Sequence, residues 1–152
     1  EGLLGKNKDL VINIRVSKKK NIIEVEDNGI GMNKKDLIEN LGTIARSGTN
    51  KFIEAMKSKK ETDLSAIGQF GVGFYSSYMV AETVKVHSKN AESKDGFLWS
   101  SNGKDNYTIE KLNKESRGTL ITLNIKKDSD EFLDLGADRR VLFVDILTSQ
   151  FS

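Results

Sequence analysis

Three groups of residues have types and spacings that suit a bound ligand. Asp27 closes the run Ile22-Ile23-Glu24-Val25-Glu26-Asp27, in which strand alternation puts Ile23, Val25 and Asp27 on one face. A carboxylate ending an apolar row is costly unless a donor reaches it, and no basic residue lies beside it in sequence. The loop that follows, Asn28-Gly29-Ile30-Gly31-Met32, is broken by two glycines and leaves room for something to approach. Two readings stand: the Asp27 carboxylate caps its own Asp-Asn-Gly turn, or it accepts an N–H from a ligand. Thr119 ends a second row, shared with Ile121, Leu123 and Ile125, where a threonine alone means little more than strand propensity. The third group is Gly68-x-x-Gly71-x-Gly73, which runs into the apolar stretch 70–79 with Phe70, Phe74 and Tyr78 at helical spacing. Glycines ahead of a helix leave unpaired N–H groups converging on one place, which suits an anion; a glycine turn needed only for tight packing has the same appearance.

The elements that must position these groups follow from periodicity. Residues 10–16 alternate, with Leu10, Ile12, Ile14 and Val16 facing the core, and a lysine-rich turn ending in Asn21 joins them as a hairpin to 22–27. Asn33 and Asp36 have capping-box spacing ahead of a helix that carries Leu37, Asn40, Leu41 and Ile44 on one side, so that Asn40 borders the apolar stripe. Residues 42–66 begin small and polar and end in a short amphipathic helix with Phe52, Ile53 and Met56, which suits a flap between the aspartate loop and the glycine loop. After the helix begun at Phe70, residues 83–88, 96–100, 107–112 and 118–125 read as an antiparallel meander separated by Asn/Ser/Lys/Asp/Gly turns. Trp99 reads as packing, and 130–152 as helical.

Bulk composition bounds the rest. The 152 residues, 37% of them hydrophobic, suffice for one core, so a single domain over 1–152 is expected. Basic and acidic residues nearly balance, 24 against 22, which argues against a nucleic-acid platform. The clusters Lys18-Lys19-Lys20 and 57–60 read as solvated turns. Without cysteine there is neither a disulfide framework nor a thiolate metal site, and the lone His87 reads as a surface or satisfied histidine. No apolar run approaches the roughly 20 residues of a membrane span, so no membrane partner is expected. The chain opens on Glu1-Gly2-Leu3 with no methionine and no visible signal peptide, and is expected to be a fragment truncated at its amino end.

With these residues in place, a resemblance emerges. Asp27-x-Gly29-x-Gly31, Gly68-x-x-Gly71-x-Gly73 and Gly118-Thr119 resemble three motifs of the GHKL ATPases. The longer strings at 27–32, 41–49 and 67–76 are similar to the nucleotide-binding domain of the ninety-kilodalton heat-shock protein chaperones, and those at 96–99, 114–119 and 130–134 to its bacterial, HtpG-type branch. The resemblance implies an α+β two-layer sandwich, helices on one face of a mostly antiparallel sheet, that binds ATP or ADP with Mg2+. Asp27 would accept the adenine amine, helped through water by Thr119 and Gly31. Met32, Leu41 and Phe74 would line the base and sugar pocket, and Asn40 would reach the ribose side. Backbone of Gly71, Val72, Gly73 and Phe74 would hold the phosphates, with 42–66 as the ATP lid and Arg46 near the phosphates. The implied parent is a cytoplasmic homodimeric chaperone ATPase acting on unfolded clients, with an organelle as a further compartment.

Two departures accompany the resemblance. The family's catalytic glutamate and Mg2+-binding asparagine lie on a helix that would precede Glu1, so this chain is expected to keep part of the pocket without hydrolysing ATP. Residues 137–148 are more apolar than the lysine-rich helix expected there. Competing readings are a histidine kinase, type II topoisomerase or MutL module of the same superfamily, and a module that binds no nucleotide. A dinucleotide fold is disfavoured because the glycine spacing is the reverse of Gly-x-Gly-x-x-Gly.

Overall fold

The computed structural model describes residues 9–42, 80–103 and 106–134. Within them six strands form one antiparallel sheet: β1 (Ile12–Ser17), β2 (Ile22–Asp27), β3 (Ala81–Lys89), β4 (Gly96–Ser101), β5 (Tyr107–Leu112) and β6 (Gly118–Ile125). A short helix, α1 (Lys34–Leu37), follows the loop after β2 and widens into a π-helical turn over Ile38–Gly42. The 130–152 helix expected from sequence is, where described, a 3-10 stretch over Lys127–Asp134 with a break at Ser129. The flap at 42–66, the helix begun at Phe70 and the apolar end at 137–148 lie outside the described residues, Gly42 excepted.

The β1–β2 hairpin forms as the alternation implies, closed by a turn in which Asn21 adopts a left-handed φ of 54°. Asparagine tolerates that conformation better than most residues. The capping box is present: Asn33 Oδ1 accepts from the Asp36 amide at 2.9 Å, and Asp36 Oδ2 from the Asn33 amide at 3.0 Å. It opens a helix that buries Leu37 and Leu41 completely against the sheet.

The expected meander is only half right. The order is β1-β2-β6-β3-β4-β5, so β3, β4 and β5 form a meander and β6 crosses back to lie between β2 and β3. The reason lies in side-chain composition. β6 buries Thr119, Ile121, Leu123 and Ile125, whereas β5 buries no residue fully, exposes Thr108, Glu110 and Lys111, and suits an edge.

Three cross-sheet rows result, of which two are apolar but for Ser101. Ile14, Val25, Ile121, Val86, Trp99 and Ile109 lie level, as do Val16, Ile23, Leu123, Val84, Ser101 and Tyr107. Trp99 is fully buried at the centre and stacks on Tyr107 with ring centroids 5.9 Å apart. The other face is wet over β1 and β2, where Arg15 pairs with Glu24 at 3.6 Å and Glu26 at 3.3 Å.

Leu10 and Ile12 depart from expectation, being 65% and 53% exposed, and β1 begins only at Ile12. Ile12 is level with Asp27, where the apolar core has ended, and its strand lies at the edge of the sheet.

The two faces of β6 make a direct test. Truncating Leu123→Ala, wholly buried, should cost about 2–5 kcal/mol, whereas Leu120→Ala on the opposite face should cost less than about 1 kcal/mol. Urea unfolding of both variants checks this; equal losses would mean that the strand is out of register.

Candidate functional site

The third cross-sheet row is different in kind. Asp27 on β2 pairs with Thr119 on β6, and Thr119 pairs with Ser88 on β3. Three polar side chains thus stand side by side where each strand's apolar row stops. Ser88 and Thr119 are buried and Asp27 is half-buried.

The loop after β2 is tied down on both sides of this row. Asn28 Oδ1 accepts from the Val11 amide and its Nδ2 donates to the Asp9 carbonyl, both at 2.7 Å. The Ala91 amide donates to the Ile30 carbonyl at 2.7 Å, and Asn90 Nδ2 to the Gly31 carbonyl at 3.3 Å. Ser88 Oγ accepts from the Met32 amide at 2.8 Å. Gly31, at φ 72°, passes so close to the Lys89 carbonyl that a Cβ would collide with it. Gly118, at φ 118°, abuts the Asp27 carbonyl in the same way. Both positions need glycine for conformation and for space.

A cavity of about 590 Å3 opens over this row, within the range of small-molecule pockets. Asp27, Gly31, Met32, Asn40 and Thr119 all line it. Leu41, expected beside them, lies in the core beneath. Arg46, Gly71, Val72, Gly73 and Phe74 lie outside the described residues. Leu10, Ile12 and Ile30 give the rim an exposed apolar character.

Asp27 Oδ1 accepts from the Gly29 amide at 2.9 Å, so the local capping read from the Asp-Asn-Gly string is real. It accompanies a place on the cavity wall. Burial pushes the Asp27 carboxyl above its ordinary value, against the opposing pull of the Gly29 and Thr119 amides and the Lys114 charge. His87 lies on the opposite face of β3, away from the cavity. Burial lowers its pKa, against the opposing pull of a hydrogen bond to the Leu120 backbone.

Sequence reasoning missed Ser88 and Asn90. Ser88 carried a signal, because alternation through Val84 and Val86 puts it at the end of a core row, as it does Asp27 and Thr119. Asn90 follows the strand in a polar turn and carried none.

Residues 6–132 match the model of the histidine kinase-, DNA gyrase B- and HSP90-like ATPase family. The chain belongs to that family. Its sheet with a helix on one face agrees with the α+β sandwich that the motifs implied. Among its relatives is the chaperone protein HtpG of Roseobacter denitrificans, 48% identical over 140 residues, which is 91% of this chain and 22% of the relative. HtpG of Orientia tsutsugamushi is 52% identical over 133 residues, 87% of this chain and 21% of the relative. That of Buchnera aphidicola is 48% identical over 128 residues, 83% and 20%. The chain therefore spans about a fifth of the length of the curated relatives it matches, and the resemblance to the bacterial HtpG-type branch holds across most of it.

The raised Asp27 pKa has a testable sign. Folding holds this proton above 3.8, where the unfolded chain has lost it, so the group's contribution is full below 3.8 and is lost as pH rises through the higher folded value. Asp27→Asn does not titrate and can still accept from Gly29. Its stability relative to the parent should rise with pH across that window and then level off, as read by urea unfolding between pH 3.5 and 7.5. A relative stability that instead grew towards acid would contradict the assignment.

Proposed function

We propose that this cavity binds the adenine end of ATP or ADP. Asp27 accepts the exocyclic amine, Thr119 and Gly31 assist through water, Met32 lines the base, Leu41 backs the pocket from the core, and Asn40 reaches the ribose side. The glycine loop holds the phosphates through Gly71, Val72, Gly73 and Phe74, with Arg46 close by, and 42–66 closes over them as a lid. The observation that carries this reading is the in-register pairing of Asp27 with Thr119 on the wall of the cavity. A half-buried carboxylate with free acceptor capacity beside a buried hydroxyl suits a ligand that brings N–H donors.

Mg2+ usually reaches such sites through substrate phosphates and one or two carboxylates. We propose that Mg2+ accompanies the nucleotide through its phosphates; among the described residues no group of three or more His, Cys, Asp or Glu could hold a metal.

For the whole protein we propose ATP hydrolysis coupled to remodelling of unfolded clients, in a cytoplasmic homodimer. The support is the relatives' printed name, chaperone protein, at about half identity over most of this chain. The same names leave a histidine kinase, topoisomerase or MutL module unfavoured. A domain spanning 1–152, with its lid internal, is part of the proposal.

A thermal-shift titration of the chain with ADP and Mg2+ tests it. At a concentration of about 100 times the dissociation constant, ADP should add roughly 2.7 kcal/mol of stability. Asp27→Asn should remove that gain while leaving the empty protein at least as stable. Stabilisation of parent and variant alike would exclude the carboxylate from the base site; no stabilisation of the parent would exclude nucleotide binding.

A further inference from the structure

We propose that Ser88 is a positioning residue that sets the direction of the Thr119 hydroxyl and thereby makes the inner wall of the cavity an acceptor of hydrogen bonds, selecting a 6-amino purine over a 6-oxo one. The inference rests on the nucleotide reading above and assigns a role to a residue outside it.

The argument is a count of protons. Ser88 Oγ has one hydrogen to give and two lone pairs to fill. The Met32 amide fills one lone pair at 2.8 Å. The Gly118 carbonyl, which can only accept, lies at 3.2 Å, and Thr119 Oγ1, which can do either, at 2.7 Å. In one arrangement alone are all three neighbours bonded: Ser88 donates to Gly118, and Thr119 donates to the second lone pair of Ser88. Ser88 is fully buried, so no solvent competes for its proton.

The consequence falls on Thr119. With its proton turned inward to Ser88, it shows lone pairs alone to the cavity it lines. Asp27, its register partner, accepts as well. An amino group entering here meets the Asp27 acceptor directly and the Thr119 acceptor through water, whereas a carbonyl oxygen finds no donor on either side chain. Removing the Ser88 hydroxyl frees the Thr119 proton to turn outward and donate, so the site should come to tolerate the oxo group.

The test measures affinities of the chain for ADP and inosine diphosphate by calorimetry. In the parent, ADP should bind more tightly. Ser88→Ala should reduce that preference about tenfold, and Ser88→Thr should keep it. In a Thr119→Val background, Ser88→Ala should leave the preference unchanged. Should Ser88→Ala fail to fold by near-ultraviolet circular dichroism, Ser88→Cys, similar in size but a weak hydrogen bonder, gives the same readout. If both nucleotides weaken equally with the preference intact, Ser88 only braces Met32 and Gly118, and the proposal is overturned. A parent that binds neither overturns the nucleotide reading itself, and this inference with it.

Discussion

The pairing of β2 with β6, and of β6 with β3, is the constraint on which the site depends. Because strand side chains alternate, a slip of one residue in either pairing would send Asp27, Thr119 or Ser88 to the opposite face. The register is held by the apolar rows behind them, in which Val25, Ile121, Val86 and Trp99 are buried side by side. It is held also by Gly118, whose positive φ lets β6 approach the backbone of Asp27 and Asn28 closely enough for the row to form. The central place of β6 matters for the same reason: a strand at the edge could have brought Thr119 to one neighbour only.

The row runs against stability. The core offers no reward for a carboxylate in this position, and burial pushes its pKa upward. Backbone amides of Gly29 and Thr119 offset part of the cost, and the buried apolar rows must supply the remainder. The exposed Arg15 pairs with Glu24 and Glu26 add little, since such pairs typically contribute about 0–1 kcal/mol. A site that is uncomfortable when empty and gains N–H donors when filled is what a ligand-binding carboxylate requires.

Much of this could be read from residue order. Alternation placed β2, β5 and β6 at their observed bounds, and the Asn33 and Asp36 spacing marked the start of α1, because these signals are local. Asp27 and Thr119 stood out as polar residues at the ends of apolar rows. Strand order could not be read in this way, since four successive strands suit a meander until burial shows that β6 belongs in the middle and β5 at the edge. Leu10 and Ile12 were misjudged because alternation reports a shared face without reporting where the core stops. Ser88 ends an apolar row as Asp27 does, but its pairing with Thr119 shows only when β3 and β6 are laid side by side. Gly31 was legible as a break in the chain, but its need to pass the Lys89 carbonyl is a long-range contact that spacing cannot encode.

The most direct measurement is a titration of the isotopically labelled chain with ADP, followed by amide chemical shifts. If the polar row forms the floor of a nucleotide site, the amides of Gly29, Gly31, Met32 and Thr119 should move together with one dissociation constant. Shifts confined to the opposite end of β6, around the second cavity lined by Asn124 and Lys126, would contradict the account, as would no shift at Thr119.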